Sequence, residues 1–272
     1  MKAVHHATLS LVLLFLVVSC APAGRYPRTT SPLNRIVDRG VLRVGTAADM
    51  PPLTMLNRSG EAMGLDADLA AEMARAMGVT LHLVVKPRPE LLPALAAGEM
   101  DIVISGLTIT PRLNLRAALV GPYALTGQTL LSRFDAAVAS ENIDRLDAPA
   151  FAFAAREGSP AARIVEKRLP HARLITVPNN DEALAMVLNG TVDAMVADTH
   201  VCVMALLRHP DAGLVLQRTP LSAAPLGIAL PAGDAQMINW TANFLDTLRE
   251  SNTLTDLKQK WFEDPSWLPD LK

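Results

Sequence analysis

The chain has 272 residues, a formal net charge of −2 and a 50% hydrophobic composition. A balance this close to neutral, with no long run of one sign, excludes a nucleic-acid surface or a basic membrane-binding face as its organising feature. Two cysteines are too few for a disulfide framework, so the fold must rest on its core.

Lys2 gives the N-terminus a small positive charge, and residues 9–18 form an apolar run broken only by Ser10. That run is too short to cross about 30 Å of hydrocarbon and reads as an export signal. Val17-Val18-Ser19-Cys20 closes it. An ordinary signal with a chance cysteine is one reading. The other, which we adopt as the expectation, is a bacterial lipobox whose Cys20 becomes the lipidated first residue. Its acyl chains would hold the protein to a membrane without a spanning helix. The predicted signal is 1–19, and 20–35 is a tether with Pro, Thr, Ser and Gly and little apolar content. Cys202 then has no intramolecular partner. Its apolar surroundings, Val201, Val203 and Met204, predict a small buried hydrophobe.

From Leu42 onward short apolar strands alternate with amphipathic helices. Strands are predicted at 41–44, 81–85 and 101–105. A helix is predicted at 66–77, with Asp66 as its cap, Leu69, Met73 and Met77 on one face and Gly78 as its stop. Its carboxylates, 66–72, read as a solvated face. A second helix covers 90–97, and Thr110 can cap a third that begins at Pro111. The pattern repeats with strands at 151–154, 174–177, 193–196 and 226–230. Helices are expected at 160–168, 183–188 behind a capping box at Asn179, 199–207, 234–250 and 253–262. Such alternation implies α/β architecture, with mainly parallel sheets covered on both faces. Two such halves side by side leave a crevice, the usual ligand position in open α/β sheets.

Several segments together resemble the family 3 extracellular solute-binding proteins, the receptors of polar amino acid ABC importers. They are Gly40-Val41-Leu42-Arg43-Val44-Gly45-Thr46, Pro51-Pro52, Gly64-Leu65-Asp66-Ala67-Asp68-Leu69, Leu91-Leu92-Pro93, Gly98-Glu99-Met100-Asp101, Ser105-Gly106-Leu107-Thr108-Ile109-Thr110-Pro111, Pro122-Tyr123, Gly190-Thr191-Val192-Asp193-Ala194-Met195-Val196-Ala197-Asp198 and Lys260-Trp261-Phe262. The resemblance implies a two-lobed type II periplasmic-binding-protein fold. Lobe 1 would be 36–126 plus 224–272, lobe 2 would be 127–223, and the lobes would close on a small polar solute.

The resemblance also implies a site. Ser105, Gly106 and Thr108 would hold a carboxylate, Asp198 an ammonium group, and Ser159 a further carboxylate oxygen from lobe 2. The family arginine that clamps the carboxylate falls on Leu113, and Arg112 stands one residue early, about 100° away around a helix. The two aromatic wall positions fall on Met50 and Arg88. Arg88 and Arg112 remain as cations for an anionic ligand, against the plainer reading of both as solvated arginines.

Parts of the chain, Leu33-Asn34-Arg35-Ile36 through Val44 and Leu207-Arg208-His209-Pro210, also resemble periplasmic cyclohexadienyl dehydratases. Such an enzyme needs a positioned acid for the leaving hydroxyl, yet no ionisable residue lies between Arg218 and Asp234. No serine-hydrolase elbow, His-Glu-x-x-His pair, P-loop or Cys-x-x-Cys is present, and the histidines lack metal-ligand spacing. The expectation is a non-enzymatic, cofactor-free, exported and monomeric lipoprotein. Its partners would be a small solute and an ABC permease and ATPase, with no nucleic acid. An orphan solute sensor of the envelope is a further possibility.

Overall fold

The computed structural model describes residues 31–133, 143–217 and 219–272. The expected export signal, Cys20 and most of the tether lie outside them. The first helix, α1 (Pro32–Arg39), begins where the tether was expected to continue to residue 35. Pro32 opens it, a position where proline's missing N–H costs nothing. Leu33 and Ile36, three apart on one face, are both buried, and that burial draws the segment into the fold.

The first half then runs β1 (Val41–Thr46), the short ribbon β2 (Met55–Leu56) and β3 (Ala62–Met63), α2 (Leu65–Met77), β4 (Thr80–Val85), α3 (Arg88–Ala96), β5 (Ile102–Thr108), α4 (Pro111–Asn114) and β6 (Ala118–Thr126). The second half contains β7 (Gln128–Ser132), β8 (Ala152–Arg156), α5 (Pro160–Arg168), β9 (Arg173–Val177), α6 (Asn180–Leu188), β10 (Ala194–Asp198), α7 (Thr199–Arg208) and β11 (Val215–Leu216). The chain returns through β12 (Ala224–Leu230), α8 (Ala235–Glu250) and α9 (Thr253–Phe262).

Two five-stranded sheets result, β4-β1-β5-β12-β6 and β9-β8-β10-β7-β11. In each, four of the five strands share one direction; the exceptions are β12 and β7, the strands by which the chain crosses between sheets. The expected mainly parallel sheets are therefore present, each with one reversed strand. Both sheets reverse their strand order once, between β1 and β5 and between β8 and β10. Ligands in open α/β sheets bind outside the carboxyl ends of strands at such switch points. Four strand ends meet that description, those followed by residues 47–50, 109–110, 157–159 and 199–200.

The crossings are packed backbone on backbone. Gly127 has φ +149, and a Cβ there would lie 1.8 Å from the carbonyl oxygen of Ser222 on the returning segment. Only glycine fits this combination of angle and proximity. Its carbonyl accepts from both the backbone N–H (2.8 Å) and the hydroxyl (3.0 Å) of Thr199. α7 is apolar on two sides for a reason: Cys202 and Ala205 face the second sheet, whereas Val203 and Leu207 join the core that contains Trp261 and Trp267. Cys202 is buried, as expected, and burial pushes its thiol up to about 12, which keeps it inert. Among the described residues no helix is long and apolar enough to cross a membrane.

The acidic stretch of α2 corrects the sequence reading. Asp66 does not cap the helix; Gly64 occupies the cap and Asp66 is 1% exposed. Asp68 accepts from Lys260 Nζ (2.7 Å) and Trp261 Nε1 (2.8 Å), which ties α9 to α2. The helix face is thus used by the fold rather than left to solvent.

Candidate functional site

The loop after β1 carries Ala48 at φ +53, a rare conformation for a residue with a Cβ, of the kind held in place only by surrounding contacts. Its neighbour Asp49 forms a bidentate ion pair with Arg88, the first residue of α3: Nε reaches Oδ2 at 3.1 Å and Nη2 reaches Oδ1. Arg88 Nη1 also donates to the Ser105 carbonyl at 2.7 Å, and Nη2 lies 3.9 Å from Met50 Sδ. Arg88 is therefore not a solvated loop residue. Nor is it a spare cation, because Asp49 neutralises it. The two positions expected to be aromatic walls touch each other.

Ser105 and Gly106 sit in the same cluster. Ser105 Oγ accepts from Ala47 N–H at 2.9 Å. Gly106 has φ +58, and a Cβ there would fall 2.7 Å from Met50 Sδ. Gly106 N–H donates to the Tyr123 hydroxyl oxygen (3.2 Å), whose own O–H donates to Asp66 Oδ1 (2.8 Å). The loop is thereby braced from beneath by a buried chain of hydrogen bonds. Thr108, at the end of β5, is half-buried and its side chain makes no hydrogen bond among the described residues. Thr110 caps α4 as predicted, accepting from Leu113 N–H at 3.1 Å. Leu113 packs inward beside Leu107 and Leu91, while Arg112 is exposed. Arg112 does not join the cluster, for the reason its helical offset implied.

Across from this cluster stands Asp198, at the end of β10 and the head of α7. Sequence alone leaves open whether it caps the helix; its side chain makes no capping bond. Instead Oδ1 accepts from Gln128 Nε2 at 2.6 Å, and the other oxygen has no protein partner among the described residues. Gln128 was not anticipated because nothing in β7 marks it; the strand pairing that sets it opposite Asp198 is long-range. His200, half-buried, was also passed over. Burial holds its imidazole below the usual range, and Asp198, Arg88 and Asp49 all act on it electrostatically. One histidine thus feels charges from both halves of the chain.

Ser159 is 5% exposed and caps α5, accepting from Ala162 N–H at 3.1 Å. Ser159→Ala should cost about 1 kcal/mol of stability in denaturant unfolding; an unchanged midpoint would remove the cap. Among the described residues no group of three or more His, Cys, Asp or Glu is arranged to hold a metal.

Residues 42–264 match the bacterial extracellular solute-binding proteins, family 3. The chain belongs to this family. Family membership accounts for the two switch-point sheets and for the crossings between them: the fold is the two-lobed type II periplasmic-binding-protein fold. Among solved structures, an ancestral cationic amino acid solute-binding protein is 35% identical with a TM-score of 0.72, covering 86% of this chain and 100% of its own. A binding component of an ABC transporter from Wolinella succinogenes, solved with lysine, is 35% identical with a TM-score of 0.63, covering 85% and 99%. A cyclohexadienyl dehydratase of Pseudomonas aeruginosa is 25% identical over 96% of both chains. This solute-binding protein is therefore related to receptors and to an enzyme.

Proposed function

We propose that this chain is an exported, lipid-anchored receptor that closes two lobes, 36–126 with 224–272 and 127–223, around a small polar solute. The solute is an amino acid or a related carboxylate, and the bound protein, a monomer, serves an ABC permease and ATPase without catalysis of its own. The observation that carries this reading is the Asp198 carboxylate. Gln128 orients one of its oxygens, the other has no protein partner among the described residues, and the group lies at a switch point beside α7. A carboxylate so placed suits an ammonium group. Thr108 and the Ser159 end of α5 supply hydroxyl and N–H groups for the solute's carboxylate. Leu113 leaves that carboxylate without the family's arginine, so its grip is weaker or comes from elsewhere in the crevice.

The test is a thermal-unfolding screen of the purified protein against the twenty amino acids and a set of di- and hydroxycarboxylates. A ligand at 100 times its Kd adds about 2.7 kcal/mol, so one chemical class should raise the melting temperature by several degrees. If no member shifts it, and calorimetry finds no binding, the reading falls. The dehydratase relative supports a second reading, a carboxylate-converting enzyme. Recovering the ligand unchanged after prolonged incubation supports the receptor; its consumption supports the enzyme.

A further inference from the structure

A cavity of about 410 Å³ lies between α6 and α7, on the face of the second sheet that carries Met195. Its volume is that of a small-molecule pocket. The floor is apolar, formed by Leu184, Met195, Val201 and Met204. The rim carries Arg156, at the end of β8, and Arg208, at the end of α7. Neither guanidinium makes a hydrogen bond or ion pair among the described residues, whereas Arg39, Arg43, Arg75, Arg88 and Arg249 each pair with a carboxylate there. Asp181 lines the cavity as well. It lies in the first turn of α6, where the helix end already favours its charge. Two free guanidinium groups against one carboxylate leave the rim net cationic.

Two of the residues lining the cavity adjoin the crevice loops. Pro51, the neighbour of Met50, lines it from the first lobe. His200 lines it from the second and feels Asp198, Arg88 and Asp49. His200 Nδ1 is buried with no partner among the described residues, a polar atom without a bond in a place where that costs free energy. An apolar floor with cations on its rim is matched by a molecule that is apolar in the middle and acidic at one end.

We propose that this groove is a subsite for the distal end of the solute. The solute is then an amino acid with an apolar chain of several carbons ending in a second carboxylate, its ammonium on Asp198 and its distal carboxylate on Arg156 and Arg208. The proposal rests on the receptor reading above and adds to it the ligand's length and charge.

Calorimetry of the full exported chain with L-2-aminosuberate, L-2-aminooctanoate, L-lysine and L-alanine separates the two. Aminosuberate should bind at least tenfold more tightly than aminooctanoate, which has the same length without the acid. Arg156→Met with Arg208→Met should erase that preference while leaving the affinity for alanine unchanged. Tighter binding of lysine than of aminosuberate, or a preference that survives both substitutions, would overturn the subsite and leave the receptor reading intact. Binding of none of the four would overturn the subsite, and the receptor reading then stands or falls with the wider screen. Because both arginines are exposed, the double variant should fold; an unchanged melting temperature without ligand checks this.

Discussion

Asp198→Ala should lower solute affinity by at least about 100-fold, while Asp198→Asn should do nearly the same without harming the fold. Truncating one member of a desolvated, hydrogen-bonded charge pair costs about 2–5 kcal/mol, and each 1.4 kcal/mol is a factor of ten. The two substitutions differ in what they leave behind. Gln128 is buried and its Oε1 already lacks a partner among the described residues. Alanine would orphan its Nε2 as well, costing about 1–3 kcal/mol of stability. Asparagine retains an acceptor for Gln128 and removes only the charge. Calorimetry on both variants, with unfolding curves alongside, reads affinity and stability separately. An asparagine variant that binds like the parent would remove Asp198 from the ammonium site.

The second large effect is on stability and pH. Asp66 is fully buried, and burial pushes its carboxyl up from 3.8 to about 7, opposed by the hydrogen bond from Tyr123, by Gly106 N–H and by Arg88. Its Oδ2 has no partner among the described residues. The folded protein therefore keeps the proton between about pH 4 and pH 7, while the unfolded chain releases it. Stability falls as pH rises through that window and levels off above about 7, by about 4 kcal/mol in total. Asp66→Asn stays neutral throughout and still accepts from the Tyr123 hydroxyl, so its profile should lack this slope. His200 slopes the other way, since its lowered folded value makes stability drop as pH falls below the ordinary imidazole range. It is present in both proteins, so the difference between them isolates Asp66. Denaturant unfolding at pH 5 and pH 8 suffices; parallel losses in the two proteins would refute the assignment. The consequence reaches the site, because Asp66 and Tyr123 brace Gly106, and Gly106 follows the serine whose carbonyl Arg88 holds.

Much of the architecture was legible because its signals are local. Gly78 stops α2 in the left-handed conformation at φ 68, Thr110 and Asn179 cap the helices they precede, and 253–262 is helical over the predicted span. The four-residue error at Pro32 arose where a polar, proline-bearing stretch hides two apolar residues on one helical face. The crossing strands β6 and β7 carry no turn signal between them except Gly127, and their continuity is set by pairing with strands far along the chain.

The site divided along the same line. Order and spacing of short motifs sufficed to find the family and to nominate Asp198 as a candidate, since each of these is a property of residue type at a position. Which groups are free to meet a solute depends on partners brought together from distant segments. Asp49 takes up Arg88, Tyr123 takes up Gly106, and Gln128 orients Asp198, across 39, 17 and 70 positions of sequence. Arg156 and Arg208 are left over for the same reason. Sequence determined the fold, several of its helix ends and the chemistry available to the crevice. Tertiary structure decided which charges are neutralised and which are not, because a Coulombic or hydrogen-bonded partner is chosen by distance in space.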